Sequence, residues 1–121
     1  MMERFDDTRP IFLQIAEQIS DHIIHNELPE GTQAPSTNQF AKHYQINPAT
    51  AAKGINLLVD KGILFKRRGV GMFVAEGARE QLLEERRQKF NEDYIVPLLH
   101  EAEKLQLSKE AIIEMISKGG N

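Results

Sequence analysis

Three consecutive cations, Lys66, Arg67 and Arg68, stand directly before Gly69-Val70-Gly71 in a chain whose formal net charge is −3. The chemistry open to such a stretch is electrostatic. Ammonium and guanidinium groups neutralise phosphates, and glycines let the backbone approach a surface closely or turn through positive φ. The flanking residues say which element carries them. Ile63-Leu64-Phe65 before and Met72-Phe73-Val74 after are β-prone, so the stretch reads as a β-hairpin with a basic tip. A nucleotide-binding loop is a poor reading, because the glycines follow a strand, open no helix and lack further glycine partners.

The surrounding charge supports a polyanion as the partner. From Gly31 to Val74 six bases face the single acid Asp60, a local balance of +5, whereas ten acids and seven bases follow from Ala75 onward. A basic segment inside a mildly acidic chain is a local docking surface for a polyanion.

The elements that must position this tip are legible upstream. Ile11, Ile15, Ile19 and Ile23 recur at four-residue steps and predict an amphipathic first helix, with Thr8 as its N-cap and Pro10 in its first turn. Pro29, Gly31 and Pro35 then leave room only for a short extended piece around Thr32 to Ala34. Ser36 with Gln39 three residues on forms a capping box opening a short second helix that buries Phe40 and Ala41. Asn47-Pro48 opens a third helix, an N-cap followed by a proline whose missing N–H costs no intrahelical bond there. Ala51, Ile55 and Leu58 are its inward face, and Gly62 suits its C′ position.

Between the second and third helices lies little more than Gln45-Ile46. Two helices joined by so short a turn, the second opening with small polar residues, have the layout of a helix-turn-helix whose second helix enters the DNA major groove. A basic hairpin directly after it is a wing. Its arginines, Arg67 and Arg68, would neutralise phosphates or enter the minor groove.

The ordered landmarks "PIFLQIAEQISDHIIHNEL", "PS", "FA", "INPATAAKGINLLVDKGIL" and "RRGVGMFV" resemble the winged-helix DNA-binding domain of the GntR family of bacterial transcription regulators, from Arg9 to about Ala75. The short tail is most similar to the YtrA subfamily, in which two helices replace a larger effector domain. The resemblance implies DNA contacts from Ser36 and Asn38 at the start of the second helix. It implies others from Asn47, Pro48, Ala49, Thr50 and Lys53 of the recognition helix, and from Arg68, Gly69, Val70 and Gly71 of the wing. It also implies a cytoplasmic regulator, more often a repressor than an activator. Three positions depart from the family pattern: Ala34 replaces a leucine, Asn38 an arginine and Ala49 an asparagine. Arginine pairs bidentately with guanine and asparagine with adenine, so Asn38 shifts the expected base preference.

The tail after Val74 reads as a charged amphipathic helix from Ala78 to about Gln106, bent or divided at Pro97, then a second helix begun by Ser108. Helices this short have difficulty burying Leu82, Leu83, Phe90, Tyr94, Leu98, Leu99, Ile112, Ile113 and Ile116 alone. A second copy would cover them, so these residues are expected to form a homodimer interface, matched to an inverted-repeat operator. A small-molecule effector could sit at that interface, and the sequence identifies none.

Other chemistries find little support. There is no cysteine, so disulfides and thiolate metal sites are excluded. His22 and His25 lack the i, i+4 spacing and acidic partners of a zinc site, and His43 and His100 are scattered. Glu84, Glu85, Glu92 and Asp93 read as a solvated helix face. No nucleophile, base and oxyanion donors converge, so no enzyme and no cofactor are expected. The N-terminus carries acids where a signal peptide would be apolar, and no run reaches the roughly 20 apolar residues of a membrane span. The expectation is a mainly α fold with a small β-hairpin: a winged helix-turn-helix domain over residues 1–75, then a two- to three-helix dimerisation region over 76–121. The function expected is sequence-specific binding of double-stranded DNA; the alternative is a winged-helix protein-interaction module.

Overall fold

Helix α1, Ile11–Ile24, turns Ile15, Ile19 and Ile23 inward, each at most 3% exposed in the computed structural model, which describes residues 5–119. Burying side chains of this size stabilises by about 1.5–3 kcal/mol each. The helix starts differently from the sequence expectation. Thr8 does not cap it; its backbone N–H and hydroxyl both donate to the Asp6 carboxylate, and Pro10 occupies the N-cap with no side-chain bond. The buried Gln14 fastens this entry instead, donating to the carbonyls of Asp6 and Arg9 at 2.8 Å and accepting from the Asp6 N–H at 3.0 Å.

Strand β1 is the two residues Gln33–Ala34, followed by α2, Thr37–Tyr44, and α3, Pro48–Asp60. The capping box forms: Gln39 N–H donates to Ser36 Oγ at 3.1 Å and Ser36 N–H to Gln39 Oε1 at 3.0 Å. At the end of α2, Gln45 takes the left-handed conformation, φ 55°, while Ile46 N–H reaches back to the Ala41 carbonyl at 3.0 Å. This closure turns the chain within three residues, so α3 follows at once. Asn47 Oδ1 accepts the Ala49 N–H at 2.8 Å, and Pro48 is the first helical residue.

Strands β2, Leu64–Arg67, and β3, Gly71–Val74, form the hairpin, and β1 adds to β3 to give a three-stranded antiparallel sheet in the order β1-β3-β2. The hairpin thus supplies the central strand, β3, and one edge, β2, of a small sheet. Its core-facing residues Leu64 and Val74 join Ile15, Phe40, Ile55 and Leu58 in one cluster with α1, α2 and α3. Gly54 lets α3 approach α1 closely, a role its sequence position does not advertise.

Helix α4 runs from Ala78 to Phe90, and a first compact unit extends to Leu83. The boundary therefore falls after α4 has begun, not at residue 75. Ala78 and Leu82 belong to the core of this first unit, with Leu82 only 3% exposed, which removes Leu82 from the expected dimerisation surface. The start of α4 is tied down by Glu30, whose carboxylate accepts the N–H groups of Gly77 at 3.0 Å and Arg79 at 3.1 Å. Arg79 Nε in turn donates to the Ile24 carbonyl at 2.8 Å.

The second unit, Glu84–Asn121, contains the end of α4, a π-helical stretch Asn91–Ile95, α5 (Val96–Lys104) and α6 (Lys109–Ser117). The long helix is not divided at Pro97: it stays helical from Ala78 to Lys104, and the irregularity is the widened π-helical turn before the proline, in which Val96 N–H donates to the Asn91 carbonyl. Pro97 has no N–H for an α-helical bond, and it stands in the first turn of α5. Gln106, φ 58°, ends α5 with a Leu107 N–H to Ala102 carbonyl bond of 2.9 Å, and Ser108 caps α6 by accepting the Ala111 N–H at 3.1 Å.

Candidate nucleic-acid interface

The expected contact residues lie at three places in the first unit: the N-terminus of α2, the N-terminal half of α3 and the β2-β3 turn. Ser36 and Asn38 are exposed. Because Ser36 Oγ already accepts an amide from the helix, its hydroxyl proton is what remains to offer a phosphate. Asn47 is spent in the same way through Oδ1 and keeps its amide N–H₂ for a partner. Pro48 and Ala49 are exposed, and Thr50 is half-buried.

Lys53, one turn beyond Ala49, is exposed, and its Nζ lies 4.1 Å from the ring centroid of Phe12 on α1. The ring face holds the ammonium by a cation–π attraction. Sequence reasoning placed Lys53 without Phe12, since the pairing joins two helices far apart in the chain. Ala49, Lys53 and Asn56 share one face of α3 and line a shallow groove with Phe12, which adds Asn56 to the candidate contacts.

At the wing tip, Val70 N–H donates to the Arg67 carbonyl at 2.9 Å and Gly69 has φ 78°. With Gly69 third in the turn, positive φ there and none at Arg68, this is a type II turn, and glycine is the residue it requires. Arg67, Arg68, Gly69 and Val70 are exposed and Gly71 is half-buried. The two arginines differ in their surroundings. Arg67 lies over the hairpin's aromatic pair, 5.0 Å from the Phe73 ring and 5.9 Å from Phe65, the two rings being 6.0 Å apart. Arg68 is the second residue of the turn itself.

Behind α2, Phe40 and Tyr44 stack at 4.4 Å, and the Tyr44 hydroxyl donates to Gln18 Oε1 at 2.6 Å. Burial pushes the Tyr44 phenol above its ordinary pKa. His22, read from sequence as having no acidic partner, has Glu27 Oε1 2.8 Å from its Nδ1. Among the described residues no group of three or more metal-ligating side chains converges, and no helix is long and apolar enough to cross a membrane.

A tri-helical core with a helix-turn-helix, a three-stranded sheet and a basic wing defines a winged-helix DNA-binding domain. Residues 12–74 match the model of the family "Bacterial regulatory proteins, gntR family", and the chain belongs to that family. It is 32% identical over 116 residues to the uncharacterized HTH-type transcriptional regulator YhcF of Bacillus subtilis (strain 168), covering 96% of this chain and 94% of that one. It is also similar to the HTH-type transcriptional repressor YtrA of the same organism, 31% identical over 75 residues, 62% of this chain and 58% of YtrA. Among solved structures, a GntR family transcriptional regulator from Listeria monocytogenes superposes with a TM-score of 0.79 at 29% identity, covering 94% of this chain and 98% of that one. AraR(DBD) in complex with operator ORR3 superposes with a TM-score of 0.54 at 27% identity, covering 62% of this chain and 90% of that one. The chain is thus a YtrA-like GntR-family transcription regulator with a DNA-binding domain.

Proposed function

We propose that the chain represses transcription in the bacterial cytoplasm by binding an inverted-repeat operator as a homodimer, and that it has no catalytic activity. The observation that carries the DNA reading is the gathering of exposed contact groups within the basic segment Gly31 to Val74: Ser36 and Asn38 on α2, Asn47 to Ala49 and Lys53 on α3, and Arg67 to Val70 on the turn. The likeness to AraR(DBD), whose structure holds an operator, supports the same role for this domain. In this reading α3 lies in the major groove and the wing reaches the adjacent backbone or minor groove. Arg68 supplies phosphate neutralisation, and Asn38 favours adenine over guanine.

The dimer reading rests on the second unit. Phe90 is 55% exposed, Tyr94 65%, Ile113 61% and Ile116 65%. Leu98 and Leu99 are also exposed, while Leu83 and Ile112 are half-buried. Solvating this many large apolar groups is costly, and a second copy meeting them across a two-fold axis removes the cost.

The test is selection of bound duplexes from a random DNA pool by the full chain, with affinity for the selected duplex measured at several salt concentrations. An enriched inverted repeat, with affinity falling steeply as salt rises, is the expected result. No enrichment would overturn the operator reading in favour of a protein-interaction module.

A further inference from the structure

We propose that Gln33, on the edge strand β1, is the positioning residue that holds the wing turn in its binding shape. The inference rests on the reading of the wing as a DNA-contacting element. The sheet register provides the geometry. Gln33 stands opposite Phe73, and Phe73 opposite Phe65, so these three side chains form one row across the outward face. The next row on that face is Gly71 opposite Arg67.

Two diagonal contacts link the rows. The Arg67 guanidinium leans back over Phe73, and the Gln33 carboxamide leans forward over Gly71. From there Gln33 Nε2 donates to the Val70 carbonyl at 3.0 Å. That bond joins residues 37 apart in sequence and lands on the turn, one residue from Gly69.

Gly71 is the other half of the device. A Cβ built on it would stand 2.3 Å from Gln33 Nε2, and its φ of 140° disfavours any side chain. The glycine therefore has a role inside the molecule as well as at a groove: its missing side chain is the space in which the Gln33 amide lies. The Val70 carbonyl would otherwise leave the wing turn held only by the hairpin's own bonds. With Gln33 in place, both ends of the turn are anchored, Arg67 on the aromatic pair and Val70 on β1. The backbone that presents Arg68 and Gly69 is thereby fixed before DNA arrives, which lowers the ordering cost of binding.

The experiment compares the full chain with Gln33→Met, which fills the same space but cannot donate, and with Gln33→Glu, which turns an acceptor toward the Val70 carbonyl. Amide hydrogen exchange and 15N relaxation are read at Arg68, Gly69 and Val70. Affinity is measured for a random-sequence duplex at low salt and for the duplex selected by the wild-type chain. Both variants are expected to raise exchange at the turn while the amides of α1 and α3 stay unchanged, and to weaken binding of the selected duplex by about two- to tenfold. Gly71→Ala, which displaces the amide from the opposite side, is expected to loosen the same three amides.

Unchanged turn amides in Gln33→Met and Gln33→Glu overturn the proposal. So does a loosened turn with undiminished affinity, if Arg68→Ala still weakens binding. Should Arg68→Ala also leave affinity intact, the wing itself is not a DNA element and the positioning role falls with it. The two failures are distinguishable because Arg68→Ala leaves the Gln33 bond untouched.

Discussion

Gly54 of α3 packs so closely on Ile15 of α1 that a Cβ on the glycine would stand 2.8 Å from Ile15 Cγ2 and 2.7 Å from the Phe12 carbonyl oxygen. By helix propensity alone, alanine at this position would gain about 0.8–1 kcal/mol. The contact reverses the sign. Gly54→Ala must push α3 away from α1 through backbone as well as side chain, and overpacking of this kind costs about 1–3 kcal/mol. Thermal or urea denaturation of the variant is expected to show a net loss of stability, and a gain would refute the close packing.

Gln45 is the reverse case. It sits in the left-handed region at φ 55° with a Cβ to accommodate, at the turn between α2 and α3. Gln45→Gly removes the conformational penalty of about 1–2 kcal/mol, partly offset by the greater freedom of glycine in the unfolded chain. A net gain of up to about 1 kcal/mol is expected, visible as a higher urea midpoint at an unchanged slope.

The Glu30 carboxylate gives the first unit an acid sensitivity. The amides of Gly77 and then Arg79 hold its pKa below the ordinary 4.5, so the folded state favours the ionised form. A group with a depressed folded pKa contributes stability that is present above its unfolded pKa and is lost as pH falls through its folded pKa. Melting temperature is therefore expected to drop as pH is lowered below about 4.5, and to drop less steeply in Glu30→Gln. Parallel pH profiles for the two chains would show that the bond to α4 carries no stability.

Sedimentation equilibrium at micromolar concentration tests the assembly. The wild-type chain is expected to be a dimer, and Ile113→Asp with Ile116→Asp to shift it toward monomer, because both side chains are more than 60% exposed in the single chain. Melting of the winged-helix unit is expected to be unaltered. A wild-type monomer would refute the dimer.

On DNA, Arg68→Ala is expected to weaken binding to all sequences and reduce the salt slope by about 1, while Asn38→Ala relaxes preference at one base pair and costs about 1–3 kcal/mol on the selected duplex. Titrations against selected and scrambled duplexes at two salt concentrations separate the two effects. Equal losses on both duplexes for Asn38→Ala would remove it from base recognition.

What the sequence by itself determined are the features whose causes are local. The capping box of Ser36 and Gln39, the Asn47-Pro48 start, the Gly62 stop and the basic turn all depend on residues within a few positions of one another, where backbone bonds and φ preferences decide the outcome. The exception is instructive: Thr8 is a good capping residue, yet Asp6 competes for its hydroxyl and Gln14 holds the entry to α1. Only the tertiary structure decided the rest. Glu30 secures a helix that begins 48 residues later, Phe12 supports Lys53, Gly54 admits α1, and Leu82 turns into the first core. Such pairings carry no periodicity or spacing, because they depend on which surfaces meet once the helices and sheet have packed, and a chain read in one dimension does not contain those distances.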